Sequence, residues 1–168
     1  GWGWPKPGED GKRDFLQPIP DGPTTRGFDL YFGTDVPNYP PYCFLENDRT
    51  VGIPSVAAPV GHDAFNIAGP MLPDWKLVEV LPGLEKRAVE HIEQVAKGGN
   101  PFFLYLPLTS PHYPVVPSAA FKGKSNAGEY GDFVMQTDHV VGEVLNALKN
   151  SGVAENTLVL FTSDNGPE

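Results

Sequence analysis

The 168-residue sequence predicts an α/β fold, and three observations carry that expectation. Two short unbroken apolar runs, Phe102-Phe103-Leu104-Tyr105-Leu106 and Leu158-Val159-Leu160-Phe161, are too short for helices and do not alternate with polar residues. Runs of that kind read as strands covered on both faces, as in a parallel sheet, over about 102–106 and 157–162. Two longer segments, about 83–97 and 129–150, repeat apolar residues at helical spacing. From Phe102 onward the order is therefore strand, loop, helix, strand. A crossover with a helix of that length joins parallel neighbours with right-handed sense.

The N-terminal part is different. Nineteen prolines and 19 glycines are many for a compact α/β unit, and residues 1–75 show no sustained helical or alternating pattern. A long irregular region is expected there, with short strands near Phe28–Phe32, closed by Gly33, and Tyr42–Leu45, turning at Glu46-Asn47-Asp48. The α/β core is expected over 76–168.

In the first helix Leu84, Ala88, Ile92 and Val95/Ala96 form the apolar stripe, and Gly98-Gly99 ends it. His91 reads as a residue at the edge of that stripe. In the second helix Phe133, Thr137, Val140/Val141, Val144 and Leu148 face inward, and Ser151-Gly152 closes it. Asp138 and His139 point about 100° apart on a helix and read as structural rather than as paired ligands.

Charge narrows the function classes. Twenty-one acidic against 12 basic residues give a net −9, which argues against nucleic acid and anionic membrane surfaces as partners. An anionic substrate would need a metal or a local basic group to reverse the sign. Cys43 is the single cysteine, so it can form no disulfide within the chain and has no companions for a structural zinc site. No run of about 18 apolar residues is present.

Two places carry candidate chemistry. The second run ends in Ser163-Asp164-Asn165-Gly166, where a carboxylate and an amide oxygen offer two hard ligands to a cation such as Ca²⁺. The same tetrapeptide is also ordinary turn chemistry, since Asn-Gly after an apolar run is a hairpin signal. The first run leads into Ser110-Pro111-His112-Tyr113-Pro114, where prolines on both sides stiffen the backbone around a histidine suited to proton transfer or anion contact. Lys124, in the polar loop 119–128, is a further candidate for meeting an anion. Parallel strands would send His112 and the Asp164/Asn165 pair to one rim, whereas antiparallel strands would separate them.

These segments resemble the formylglycine-dependent sulfatases of the alkaline-phosphatase-like superfamily. The matching pieces are Gly22-Pro23-Thr24-Thr25-Arg26-Gly27-Phe28-Asp29, the Pro101–Leu106 run, Ser110-Pro111-His112, Tyr130-Gly131-Asp132 and Phe161-Thr162-Ser163-Asp164-Asn165-Gly166. The resemblance implies a partial alkaline-phosphatase-like fold and metal-assisted hydrolysis of a sulfate ester on a small molecule or glycan. It implies Asp164 and Asn165 as Ca²⁺ ligands, and His112 as the group that contacts the sulfate and protonates the departing alkoxide. The family's nucleophile comes from a cysteine in a Cys-x-Pro/Ala-Ser-Arg motif, and Cys43, followed by Phe44-Leu45-Glu46, does not match it. The paired N-terminal aspartates are also missing, and Gly1-Trp2 looks like the tail of a Lys-Trp-His-Leu-Gly element. The expectation is an internal segment of a sulfatase, inactive by itself. The alternatives are a phosphodiesterase or phosphonate hydrolase of the same superfamily, and a non-catalytic Ca²⁺- or glycan-binding relative.

Overall fold

The computed structural model describes residues 3–9, 13–36, 39–59 and 67–166. The Gly1-Trp2 pair lies outside them. The chain is a mixed α/β structure of small sheets and two long helices, and its contacts divide it into two compact units, Gly1–Leu77 and Val78–Glu168.

The first unit holds all the strands among the described residues, each two residues long: β1 (Phe32–Gly33), β2 (Leu45–Glu46), β3 (Arg49–Thr50), β4 (Val56–Ala57) and β5 (Pro70–Met71). β1, β2 and β3 form one antiparallel sheet, with Phe32 opposite Glu46 and Glu46 opposite Arg49. β4 pairs antiparallel with β5, and an isolated parallel bridge joins Tyr42 to Met71. The β2–β3 turn works because Asn47 takes a left-handed φ of 54°, a conformation asparagine tolerates better than most residues. Asn47 also exchanges hydrogen bonds with Tyr31, its Oδ1 accepting from the Tyr31 amide at 3.1 Å and its amide donating to the Tyr31 carbonyl at 2.9 Å. Ile19, Cys43 and Leu45 form the apolar centre, flanked by Trp4, Tyr31 and Leu72. So many prolines leave little room for longer ladders.

The second unit is built on α1 (Val80–Gly98) and α2 (Gly128–Asn150). α1 begins three residues earlier than its spacing predicts, because Pro82 falls in the first turn, where its missing N–H has no helical partner to lose. Gly99, at φ 69°, ends it. Leu81, Leu84, Ala88 and Ile92 are buried along α1, as are Phe133, Val140, Ala147 and Leu148 along α2. α2 closes in the glycine stop the sequence predicts: Gly152 is left-handed and donates to Lys149, while Val153 donates to Leu148.

The two apolar runs depart from expectation. Neither 102–106 nor 157–162 joins a ladder among the described residues. Along 102–106 burial alternates, with Phe102 and Leu104 packed on the Ile92, Ala147 and Leu148 cluster while Phe103 and Tyr105 face outward. Helices thus cover one face of this run, while the other, with Phe103 and Tyr105, is largely exposed. Leu158, Leu160 and Phe161 keep 84%, 83% and 76% of their surface exposed. A ladder requires a neighbouring backbone to receive its hydrogen bonds. No described segment supplies one to either run, so the same-edge argument uniting His112 with Asp164 and Asn165 has no ladder beneath it here.

Candidate active site

His112 sits in the stretch that leaves the first apolar run. Its side chain is exposed, and its Nδ1 lies 2.5 Å from the Tyr113 carbonyl oxygen, which assigns a ring proton to Nδ1. The Ser110–Pro111 and Tyr113–Pro114 peptide bonds on either side are both cis.

Three side chains of α2 hold the segment around this histidine. Thr137 Oγ1 is 2.7 Å from Ser110 Oγ and 2.9 Å from the Phe133 carbonyl oxygen. A hydroxyl has one proton, and the carbonyl can only accept. Thr137 therefore donates to Phe133, and the Ser110 hydroxyl donates to Thr137. Gln136, 2% exposed, accepts from the Ser118 amide at 2.8 Å. Beneath them Leu108, Val115 and Val116 pack on Leu81, Phe133 and Val140.

Asp132 is the third anchor. It is buried, and its two carboxylate oxygens accept from the amides of Gly123 and Ser125, each at 2.7 Å. A side-chain carboxylate thus fills a nest of backbone amides. The Ser125 amide, and next that of Gly123, hold the Asp132 carboxyl below the usual carboxylate range, against the opposing effect of desolvation. Lys124 lies between those two amides with its own side chain exposed.

The loop can approach α2 this closely only at Gly131. A Cβ there would meet Ser125 Oγ and would lie 2.8 Å from the Ala127 Cβ. The Tyr130-Gly131-Asp132 piece therefore has a local role that helical periodicity does not reveal, because periodicity assigns every inward position to apolar packing. The readable signal was a glycine followed by an acid inside a helix.

Asp164 and Asn165 lie on an exposed bend with local bonds. Ser163 Oγ donates to the Asn165 carbonyl at 2.5 Å, and Asn165 Nδ2 donates to the Gly166 carbonyl at 2.7 Å. The Asn165 amide nitrogen is thus occupied, while its side-chain oxygen, the atom a cation would meet, is on the other branch. The donor chemistry suits a hard cation, but two oxygens are a fraction of the six to eight Ca²⁺ takes. Among the described residues no three His, Cys, Asp or Glu side chains gather closely enough to hold a metal.

The remaining titratable candidates are structural. Cys43 is buried, and burial, with a smaller effect from Asp35, pushes its thiol up to about 12. A thiol so far from its thiolate is a core residue, not a nucleophile. His139, read from the sequence as structural, reaches Glu85 of α1 at 3.7 Å and packs its ring 5.4 Å from that of Phe121. In the first unit Arg26 forms a forked pair with Asp21, at 3.0 and 2.8 Å, that closes the Thr24-Thr25-Arg26 turn at the surface.

Comparison with known proteins places this arrangement. The sulfatase family model matches residues 14–168. The N-acetylgalactosamine-6-sulfatase of Mus musculus is 33% identical over 160 residues, covering 86% of this chain and 27% of that protein. The N-acetylgalactosamine-6-O-sulfatase of Bacteroides thetaiotaomicron is 39% identical over 93 residues, which is 55% of this chain and 18% of that one. Human arylsulfatase A is 37% identical over 107 residues, covering 61% and 20%. A solved structure from work on glycosaminoglycan metabolism by Bacteroides thetaiotaomicron superposes with a TM-score of 0.76 at 26% identity, covering 96% of this chain and 40% of that one. The chain belongs to the sulfatase family. It spans 18–27% of the length of these curated relatives.

Proposed function

We propose that these 168 residues form an internal part of one sulfatase catalytic domain that hydrolyses a sulfate ester carried by a small molecule or glycan. The observation that supports this best is the His112 segment, an exposed imidazole on a backbone secured to α2 on both sides, within a match to the sulfatase family. In this reading His112, as the imidazolium with its Nδ1–H held by the Tyr113 carbonyl, contacts the sulfate and delivers its Nε2 proton to the departing alkoxide. Lys124 adds a positive charge for the anion. Asp164 and Asn165 contribute two oxygens to a Ca²⁺ site. When bound, the cation offsets the sulfate's charge, which answers the sign problem posed by a chain of net −9. The nucleophile, a formylglycine by family resemblance, comes from residues beyond these. The runs 102–106 and 157–162 become buried parallel strands of an alkaline-phosphatase-like sheet when the rest of the domain covers them.

The test is arylsulfate hydrolysis by the full-length enzyme carrying this segment. His112→Ala is expected to lower kcat by about 10²–10⁴-fold, the usual worth of a general acid. An unchanged kcat would remove His112 from the chemistry. Purified alone, the 168-residue chain is expected to show no turnover. Hydrolysis by it would overturn the claim that the nucleophile lies elsewhere.

A further inference from the structure

The bonds that α2 makes to the His112 segment are arranged for more than stability. Ser110 lies two residues before the histidine and Ser118 six after it. Both are held by adjacent residues of one helix, Thr137 through the Ser110 hydroxyl and Gln136 through the Ser118 amide. Between those points Val115 and Val116 pack on Phe133 and Val140. The histidine ring, in contrast, is exposed. A buried polar helix face thus fixes both flanks of a segment whose reactive side chain projects from it. Burying Gln136 and half-burying a Ser–Thr hydroxyl pair is costly unless each finds a partner, and here each does.

We propose that Thr137, with Gln136, is a positioning residue for His112: the Ser110-to-Thr137-to-Phe133 hydrogen-bond relay sets where the imidazole stands relative to the ester oxygen. The inference rests on the reading of His112 as the group that protonates the leaving alkoxide. In this role Thr137 acts through its bond to Ser110. A displacement of the imidazole by about 1 Å is enough to cost on the order of 10²-fold in rate. Thr137 sits mid-helix, so a change there moves the His112 segment without altering the ring itself.

The relay makes a specific kinetic prediction for the full-length enzyme. Thr137→Val keeps the side chain's shape and removes the hydroxyl. It is expected to lower kcat about 10–100-fold while leaving KM within about twofold, because the lost placement matters most in the transition state. Thr137→Ser restores the hydroxyl and is expected to recover most of the rate. Ser110→Ala breaks the same bond from the loop side, where helix folding is not at stake. Ser110→Ala, Thr137→Val and the double variant are expected to share one loss, since all three delete the Ser110–Thr137 bond that holds the His112 segment.

Multiplying losses in the double variant would overturn the relay, as would Thr137→Val at full kcat or a failure of Thr137→Ser to rescue. If Thr137→Val does not fold, Ser110→Ala and Thr137→Ser still decide the matter: full rate in Ser110→Ala overturns it, and a large loss with near-normal Thr137→Ser supports it. The His112→Ala control separates the two readings. Loss there with normal Thr137→Val sinks the positioning role alone, while normal rate in His112→Ala sinks the catalytic reading on which it rests.

Discussion

The two places that carry candidate chemistry are built in opposite ways. The segment bearing His112 and Lys124 is tied down by a neighbouring helix at Ser110, Ser118, Gly123 and Ser125, over an apolar floor of Leu81, Phe133 and Val140. The tip bearing Asp164 and Asn165 is held by its own short-range bonds, and the run leading to it is exposed. One candidate site is pre-organised by its neighbouring helix, whereas at the other no third metal-ligating side chain gathers among the described residues. A proton donor gains from being fixed before substrate arrives, because placement then costs nothing in the reaction. A metal ligand pair can be ordered by the ion itself.

The strongest break in that comparison is Phe133→Ala. Phe133 is 3% exposed and lies beneath Leu108, Val115 and Val116. Its loss is expected to cost about 3–5 kcal/mol, the usual penalty for a buried aromatic. Urea unfolding of the second unit, followed by circular dichroism, measures it. The His112 segment should loosen together with α2, since both rest on this ring.

Gly131→Ala comes next. Alanine gains about 1 kcal/mol of helix propensity over glycine. Against that, the new methyl meets Ser125, whose hydroxyl is fixed by accepting from the Ala127 amide, and approaches the Ala127 Cβ at 2.8 Å. Overpacking costs about 1–3 kcal/mol, so a net loss of about 1 kcal/mol is expected by the same unfolding measurement. A gain in stability would show that the 123–127 loop is free to move away.

Acid should separate the two sites. Asp132 has its carboxyl pKa lowered in the folded chain, so its contribution is present above the ordinary value of 3.8 and is lost as pH falls through the lower folded value. Amide exchange at Gly123 and Ser125 is expected to accelerate on acidification below pH 3.8, beyond the intrinsic pH trend of the Ser163 and Gly166 amides at the tip. Asp132→Asn should show the faster exchange already at neutral pH. Calcium probes the other side: titrated into the isolated chain, it is expected to give no saturable binding tighter than about 1 mM, because two oxygens are too few. Tight binding would mean that the chain completes the site from its own residues.

Much of this was legible in residue order. Both long helices follow from apolar spacing, and their stops follow from Gly99 and Gly152. The offset at the start of α1 arose because a proline within the first turn is silent in a periodicity count. Family membership was readable from short words such as Ser110-Pro111-His112 and Ser163-Asp164-Asn165-Gly166. The anchor Gln136 was not readable, and Asp132 only through the glycine before it, since inward polar residues look like errors in an apolar stripe until the loop they bind is placed. The ladders expected over 102–106 and 157–162 failed for a related reason. An apolar run states that both its faces want cover, and says nothing about which segment provides it.

The smallest expected effect is the most instructive about that run. Phe161 is 76% exposed, so Phe161→Ala in the isolated chain removes a ring that buries little and leaves no cavity. Its effect on unfolding should stay within about 0.5 kcal/mol, as for other surface changes. The same substitution in the full-length enzyme is expected to behave like a core truncation, at about 3–5 kcal/mol, if sheet neighbours there cover the ring. The difference between the two measurements reports the cover that further residues give to the run leading to Asp164 and Asn165. Equal, near-zero effects in both would mean that this run is a surface segment even in the complete enzyme. The tip would then gain no rigid support from a sheet, and its proposed role as a metal-ligand platform would lose its footing.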